Sequence, residues 1–334
     1  MSKTILVTGA AGFIGSHTVE AFLKRGDRVI GLDNLNDYYD PARKRANLKE
    51  IRQALAQTDH SQRFTFIEGD IRDRKLVKQL FEENPFDAIV HLAAMAGVRV
   101  SIGNPELYYD VNLMGSLVLL DAAVRRSGQR VSTSKLPSFV YASTSSVYGN
   151  TRQIPFVPED PCDRPLAPYA ASKRAGELLG HSYHHLYGLP FTVLRFFTVY
   201  GPRGRPDMMA YKVLDNIFTG CEVPLYNGGQ MHRDWTYVTD IVNGVVAAAD
   251  TPLGYEVLNL GRGEPVLLND FVKQIETLAG QKAHLVNKPM LDADIAYTFA
   301  DVSKTRERLG YDPKVSVSEG VEHFWKWYQK AILQ

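Results

Sequence analysis

The chain has 334 residues, of which 45% are hydrophobic, enough to bury a large core in one big domain or two modest ones. Lysine plus arginine (38) nearly balances aspartate plus glutamate (37), so no global field favours nucleic acid or an anionic membrane as a partner. Cys162 and Cys221 stand far apart without metal-ligand neighbours, which argues against a disulfide framework or a metal site. With no signal-like or membrane-spanning run in the sequence, we expect a cytoplasmic protein.

Short apolar runs alternate with amphipathic stretches through the first part of the chain. The apolar runs predict strands at residues 4–8, 28–32, 63–67, 88–91, 138–142 and 191–195. The amphipathic stretches predict helices at residues 12–25, 74–83, 105–126, 169–187 and 208–219. This alternation predicts an α/β fold of the Rossmann type, with a doubly wound parallel sheet whose ligands lie beyond the carboxyl ends of the strands.

After Arg195 the alternation breaks into turn-rich loops and shorter, mixed elements. We expect residues 1–197 to form the dinucleotide-binding domain, with returns of the chain near 237–258 and 300–315. The remaining segments are expected to build a smaller, discontinuous, mixed α/β substrate-binding lobe from residues 198–236, 259–299 and 316–334.

Gly9, Gly12 and Gly15 directly follow the first predicted strand and open the first helix. Glycines permit the tight turn and let a pyrophosphate approach backbone N–H groups at the positive end of the helix. An ordinary tight turn between strand and helix is the alternative. Asp33, 18 residues after Gly15, can accept both hydroxyls of an adenosine ribose and would repel a 2′-phosphate, so we expect NAD rather than NADP. The basic residues 43–45 are expected on a solvated helix face.

Tyr169 and Lys173 are four residues apart on a predicted helix, so both side chains lie on one face. An ammonium beside a phenol lowers the pKa of the phenol and makes it a usable base near neutral pH. A half-buried ring beside a solvated lysine is the alternative. The hydroxyl-rich residues 143–146, including Thr144, end the preceding strand, where they would face the cofactor crevice.

Six short motifs together resemble the extended short-chain dehydrogenase/reductases: TGAAGFIG, GDI, HLAA, STSSVYG, PYAASK and RDWTYVTDI. The resemblance spans nearly the whole chain and implies that Tyr169 is the base or acid. Lys173 would be its pKa-lowering and ribose-holding partner, and Thr144 would hydrogen-bond the reacting oxygen. The NAD-binding residues that it implies are Gly9, Gly12, Phe13, Ile14, Gly15, Asp33, Asn34, Asp70, Ile71, Leu92, Ala93, Ala94, Tyr169 and Lys173.

Within this family, the serines after Thr144 favour epimerases over dehydratases. Dehydratases carry an acidic pair where Ser145 and Ser146 stand, and a serine hydroxyl cannot replace a carboxylic acid or base near neutral pH. Residues 34–48, 96–105 and 195–209 resemble the UDP-glucuronate 4-epimerases more than the UDP-galactose enzymes. The expected reaction is the interconversion of UDP-glucuronic and UDP-galacturonic acid. A UDP-glucose or UDP-N-acetylglucosamine 4-epimerase and a UDP-glucuronate decarboxylase stay open as alternatives.

Oxidation at C4 of a glucuronic acid gives a β-keto acid, which loses carbon dioxide when its carboxylate bond aligns with the carbonyl π system. An epimerase must hold the carboxylate out of that alignment. Ser145, Ser146 and Thr198, with Thr144, offer short hydroxyl donors, and Arg205 offers a planar charged fork. The serines are also typical of a strand-end cap, and Arg203 competes with Arg205 for this role.

Three further residues are expected around the UDP group and the sugar. Arg233 matches the phosphate-binding arginine that the resemblance implies. Asp294 matches a carboxylate at the UDP ribose, although Ala293 precedes it where relatives have glycine. Arg99 is expected either at the sugar or in a structural ion pair. The predicted helices 105–126 and 169–187 resemble a pair that joins two subunits, so a homodimer is expected by analogy.

Overall fold

The computed structural model describes residues 2–56, 61–126, 129–133 and 136–333. Its strands are β1 Thr4–Thr8, β2 Arg28–Asp33, β3 Phe64–Glu68, β4 Ala88–His91, β5 Arg125–Arg126, β6 Gln129–Arg130, β7 Ser138–Thr144, β8 Phe191–Phe196, β9 Thr198–Tyr200, β10 Glu222–Tyr226, β11 His232–Tyr237, β12 Tyr255–Leu260, β13 Pro265–Leu267 and β14 His284–Lys288. Its α-helices are α1 Phe13–Arg25, α2 Pro41–Ala56, α3 Arg74–Glu83, α4 Val98–Gly103, α5 Pro105–Tyr109, α6 Gly115–Val124, α7 Pro168–Tyr187, α8 Met209–Thr219, α9 Val238–Asp250, α10 Leu268–Ala279, α11 Ser303–Leu309 and α12 Val317–Ala331.

Seven parallel strands form the main sheet, in the order β3-β2-β1-β4-β7-β8-β12. The predicted doubly wound parallel sheet is therefore confirmed, and each predicted strand lies in it with small changes at its ends. The strand order reverses between β1 and β4, which places a ligand crevice beyond the carboxyl ends of these strands. The edge strand β12 was not predicted as a strand, because its sequence YEVLNL mixes polar and apolar residues.

The two faces of the sheet carry separate hydrophobic clusters. Ile5 and Val7 of β1 point into one cluster together with Phe22 of α1, whereas Leu6 points into the other together with Leu119 of α6. This alternation is the period-two pattern of a strand covered by helices on both faces. The sheet is thus a rigid central layer, and the loops at the carboxyl ends of its strands are left to bind ligands.

A single turn of π-helix, Asp110–Met114, joins α5 to α6. The resulting segment Pro105–Val124 is the one described helix that is long and apolar enough to cross a membrane, but 56% of its apolar window is buried in the fold. It therefore packs as a core helix does. The predicted helix 105–126 ends earlier than expected, since Arg125–Arg126 pairs with Gln129–Arg130 as a short strand.

The segments outside the main sheet form smaller units. Strands β9, β11 and β13 make a three-stranded sheet, and β10 pairs in parallel with β14. Helices α8, α10 and α12 pack against one another through aromatic side chains such as Tyr211, Phe324 and Tyr328. The division of the chain into two domains at the residues given above stays a prediction.

Candidate active site

A cleft at the carboxyl ends of β1, β2, β4 and β7 brings together the residues predicted to bind the dinucleotide. We call it the cofactor cleft. Its lining includes every predicted cofactor residue, namely Gly9, Gly12, Phe13, Ile14, Gly15, Asp33, Asn34, Asp70, Ile71, Leu92, Ala93, Ala94, Tyr169 and Lys173.

The glycine motif forms a turn that has no room for side chains. Gly9 has a φ of +70°, and a Cβ there would lie 2.8 Å from the backbone nitrogen of Ala93. A Cβ on Gly15 would lie 1.9 Å from the carbonyl oxygen of Gly9. Helix α1 starts after Gly12 without a side-chain cap, so the N–H groups of its first turn are available to an anion. The turn therefore suits a pyrophosphate.

Asp33 ends β2 inside the cofactor cleft and is held by backbone. Its Oδ2 accepts a hydrogen bond from the N–H of Ala11 (3.1 Å), and its Oδ1 accepts one from the N–H of Leu35 (2.9 Å). Burial raises the pKa of Asp33, and the charge of Lys44 opposes that rise. Since each carboxylate oxygen keeps a free lone pair, Asp33 can accept hydrogen bonds from ribose hydroxyls as predicted.

The basic residues 43–45 do not all lie on a solvated helix face, so that expectation is wrong for Lys44. Lys44 is 6% exposed and lines the cofactor cleft, where its Nζ donates hydrogen bonds to the carbonyl oxygen (2.9 Å) and Oδ1 (2.7 Å) of Asn36. It lies on the same face of α2 as the buried residues Leu48, Ile51 and Leu55. This spacing is visible in the sequence and is the signal that could have identified Lys44.

Tyr169 opens α7, and Thr144 ends β7 beside it. The hydroxyl of Thr144 accepts a hydrogen bond from the N–H of Ser146 (3.2 Å) and lies near the phenol of Tyr169. Burial raises the pKa of Tyr169, while the positive charge of Arg205 and the hydroxyl of Thr144 oppose that rise. Burial lowers the pKa of Lys173 to about 7, and the charge of Glu177 opposes that shift. The Nζ of Lys173 is buried and has no hydrogen-bond partner among the described residues.

Arg205 lies in the cofactor cleft with Tyr169. It does not line a second cleft, described below, that holds Ser145, Ser146 and Thr198. Its Nε and Nη2 bind both carboxylate oxygens of Asp207, at 2.9 and 2.7 Å. The phenol of Tyr38, from the segment after β2, donates a hydrogen bond to Asp207 at 3.2 Å. The sequence reasoning missed Tyr38 and Asp207, because their interaction joins residues that are far apart in the chain. Arg203 instead pairs with Glu20 and Glu50 away from both clefts.

A second cleft lies on the other side of the first turn of α7. Ala167 and Ala170 line this second cleft, whereas Tyr169 and Lys173 line the cofactor cleft. The end of β7 is divided in the same way, since Ser143 faces the cofactor cleft and the serines after Thr144 face the second cleft. The second cleft holds five of the predicted substrate residues, namely Ser145, Ser146, Thr198, Arg233 and Asp294.

Arg233 is a cation without a salt-bridge partner in the described part of the chain. Its Nη1 donates to the carbonyl oxygens of His232 (2.8 Å) and Ala296 (3.4 Å). Burial lowers the pKa of Arg233 to about 10, the charge of Asp294 opposes this shift, and the charge of Arg99 adds to it. Asp294 itself is paired with Arg99 at 2.8 Å. A partly buried guanidinium with this surplus of positive charge suits a phosphate.

Comparisons with known proteins fix the family. The sequence profile described as the NAD dependent epimerase/dehydratase family matches residues 5–261. This chain belongs to that family. The chain is also 42% identical to UDP-glucuronate 4-epimerase 3 of Arabidopsis thaliana, in an alignment of 342 positions that covers 97% of this chain and 76% of that protein. It is 40% identical to UDP-glucuronate 4-epimerase of Thermodesulfobacterium geofontis (strain OPF15), over 98% of this chain and 96% of that protein.

A solved structure is similar over its whole length. The crystal structure of UDP-glucuronic acid 4-epimerase from Bacillus cereus in complex with UDP-glucuronic acid and NAD has a TM-score of 0.86 and 35% identity to this chain. The similarity covers 98% of this chain and 99% of that one. The resemblance to the extended short-chain dehydrogenase/reductases and the prediction of NAD as the cofactor are both confirmed.

Proposed function

We propose that this family member is a UDP-glucuronate 4-epimerase, which interconverts UDP-glucuronic and UDP-galacturonic acid by transient oxidation at C4. One observation carries the assignment. The predicted hydroxyl residues Ser145, Ser146 and Thr198 share the second cleft with Arg233, which has no salt-bridge partner among the described residues. Tyr169 lies on the other side of the same helical turn. A sugar with a carboxylate, joined to a diphosphate, satisfies both sets of groups at once.

The cofactor cleft fits NAD. The pyrophosphate would be held by the glycine turn at α1, the adenosine ribose by Asp33, and the nicotinamide ribose by Lys173, whose buried Nζ has no other hydrogen-bond partner among the described residues. Bound NAD supplies a hydride acceptor that also returns the hydride. Because oxidation and reduction balance within one turnover, no second redox substrate is required.

Tyr169 is the residue that moves the proton. As phenolate it removes the proton of the C4 hydroxyl, and it gives the proton back when the ketone is reduced. The charge of Arg205 and the hydroxyl of Thr144 both favour the phenolate. We expect the Lys173 ammonium, four residues further along the same helix, to favour the phenolate as well. We expect Thr144, which ends β7, to hydrogen-bond the same sugar oxygen.

Arg233 anchors the diphosphate, with Asp294 at the UDP ribose and Arg99 in an ion pair with Asp294. The 4-keto sugar then turns over about its diphosphate bond and presents its other face to the cofactor. Hydrogen bonds from Ser145, Ser146 and Thr198 hold the carboxylate out of line with the C4 carbonyl and so prevent decarboxylation. We propose that Arg205 adds one contact to this carboxylate from the cofactor cleft, since its Nη1 has no partner in the described part of the chain.

We further propose a cytoplasmic homodimer with no nucleic-acid or membrane partner. Helix α7 exposes Leu178 (53%) and Leu186 (58%), and the neighbouring segment α5–α6 exposes Leu107 and Met114. These two helices correspond to the predicted helices 105–126 and 169–187, which resemble a pair of helices that joins two subunits. Two copies of this apolar face would bury each other as a four-helix contact.

The decisive experiment offers purified protein UDP-glucuronate, UDP-glucose and UDP-N-acetylglucosamine separately and identifies the products by NMR. We expect UDP-galacturonate from the first sugar and at least a hundredfold less turnover of the other two. Tyr169→Phe is expected to lower turnover by at least 100-fold. A UDP-pentose as the main product, or preferred conversion of UDP-glucose, would overturn the proposal.

A further inference from the structure

The ammonium of Lys173 lies over an aromatic ring. Its Nζ is 4.6 Å from the centroid of the Tyr141 ring. The side chains of both residues are buried, and this Nζ has no hydrogen-bond partner in the described ranges. A cation within about 6 Å of a ring face is attracted by the negative face of the π system, most strongly where water is excluded. The ring is therefore the protein group best placed to stabilise the positive charge.

Tyr141 is held in this position from three sides. On β7 it stacks on Phe191 with a centroid distance of 5.7 Å, and it contacts the ring of His91 at the same distance. Helix α7 lies directly on the phenol, because a Cβ on Gly176 would be 2.2 Å from the Tyr141 oxygen. Glycine at position 176 thus permits the close approach of α7 that brings Lys173 over the ring.

The ionisable groups near Lys173, namely Glu177, His91 and Tyr169, do not fully neutralise its positive charge. Glu177, one helical turn further along α7, is shared between Arg195 (2.8 Å) and Arg174 (2.8 Å) and also accepts a hydrogen bond from Ser143. His91, on β4, is buried, and burial together with the charge of Lys173 holds its pKa well below its usual value, so it is neutral. Tyr169, on the same face of α7, is the group that the ammonium is expected to act on.

We propose that Tyr141 is a positioning residue, whose ring keeps Lys173 charged and directed at Tyr169 and the cofactor ribose. Only the kinetic test of this proposal depends on the proposed epimerase function. The phenol oxygen of Tyr141 is not required, since it is the ring face that contacts the cation. Tyr141 is not among the lining residues of either cleft. We therefore expect its ring to influence catalysis through Lys173.

The test compares three variants of the whole protein. Tyr141→Leu removes the ring, Tyr141→Phe keeps it without the oxygen, and Phe139→Leu removes a neighbouring ring that also stacks on Phe191 but does not touch Lys173. Because the active form has Lys173 protonated, we expect the alkaline limb of the pH profile of kcat/KM to move down by about one pH unit in Tyr141→Leu, which is about tenfold in proton affinity. Tyr141→Phe should keep the original profile, and Phe139→Leu should lose thermal stability without moving that limb.

A second readout does not depend on the substrate. Since Lys173 would hold the nicotinamide ribose, Tyr141→Leu should retain at least fivefold less NAD per subunit through purification than Phe139→Leu does. If Tyr141→Leu fails to fold, Tyr141→Met, which refills the space without a ring, replaces it. Identical pH limbs and NAD contents in the ring-free and Phe139→Leu proteins would overturn the proposal. Failure of the wild type to epimerise UDP-glucuronate, with this NAD difference intact, would instead count against the proposed function.

Discussion

The positive charge of Arg233 is not neutralised by a salt bridge in the described part of the chain. Its guanidinium donates only to backbone carbonyls and a thioether in the described part of the chain, and Arg99 adds a second positive charge nearby. Such a charge costs free energy in the empty cleft and is satisfied when a dianionic diphosphate binds. We therefore propose that Arg233 contributes to substrate affinity at the expense of stability.

We expect Arg233→Met to raise KM for the UDP-sugar by about 10- to 100-fold, since a hydrogen bond to a charged group contributes about 1.5–3 kcal/mol. The diphosphate is remote from C4, so kcat should change much less. Steady-state kinetics measure both constants. The control is Arg306→Met on the exposed surface of α11, which should leave both unchanged. A large fall in kcat with an unchanged KM would contradict the anchoring role.

At the residue scale, the sequence predicts the cofactor side of the site well and the substrate side less completely. The cofactor residues follow strand ends whose position the fold dictates, so all of them line one cleft. Arg205 was expected with the hydroxyl residues but lies in the cofactor cleft, paired with Asp207. No sequence spacing predicts this, because the orientation of Arg205 depends on a loop conformation and on Tyr38 from a distant segment.

At the element scale, α7 has three separate tasks. Its first turn divides the two clefts, its Gly176 lets it approach β7, and its outer face exposes leucines. The spacing of Tyr169 and Lys173 predicted that both lie on one face of this helix, but the division of the two clefts by its first turn was not predicted. By contrast, the bounds of helix α2 were not predicted and its face at residues 43–45 was expected to be solvated, because its buried stripe includes the polar residues Lys44 and Asn47.

The exposed face of α7 leads to a prediction about assembly. Replacing Leu178 and Leu186 together by glutamate would place charges inside the proposed contact, so we expect a dimer to become a monomer. Light scattering coupled to size exclusion measures the mass. Leu278→Glu on α10, exposed to 37%, is the matched control and should not change it. Equal masses for wild type and the double variant would contradict a subunit contact at α7.

At the scale of the whole molecule, the cofactor cleft joins elements from most of the main sheet. Residues of β2, β7, β8 and α7 line it, together with the loops that directly follow β1 and β4. A ligand bound there stabilises the folded state by mass action, by about 2.7 kcal/mol at 100 times its Kd. Protein stripped of NAD should therefore melt at a lower temperature, and added NAD should restore it.

Differential scanning calorimetry of the stripped protein tests this, with NADP as the control. NADP should stabilise it much less, because the carboxylate of Asp33 repels a 2′-phosphate. Asp33→Asn should narrow the difference between the two dinucleotides, since Lys44 then faces the cleft without the opposing charge. Equal stabilisation of the wild type by NAD and NADP would show that Asp33 does not discriminate.

The second cleft could not be assembled from local patterns. Its lining comes from α4, the end of β7, α7, β9, β11 and the segment after β14. These segments extend from Val98 to Thr298 in the sequence. Only the family resemblance related Arg233 and Asp294 to one ligand. Parallel sheets predict where strand ends meet, but the packing of turn-rich loops after Arg195 depends on contacts that have no sequence period.

The hydrogen bond from Tyr38 to Asp207 connects the segment after β2 with the segment after β9, and Tyr38 and Arg205 both line the cofactor cleft. We expect a bound dinucleotide to leave only when this connection opens. It would then stay bound over many catalytic cycles, so we expect the ratio of NAD to NADH in solution not to affect the reaction. The direction of conversion is left to the concentrations of the two sugar nucleotides alone.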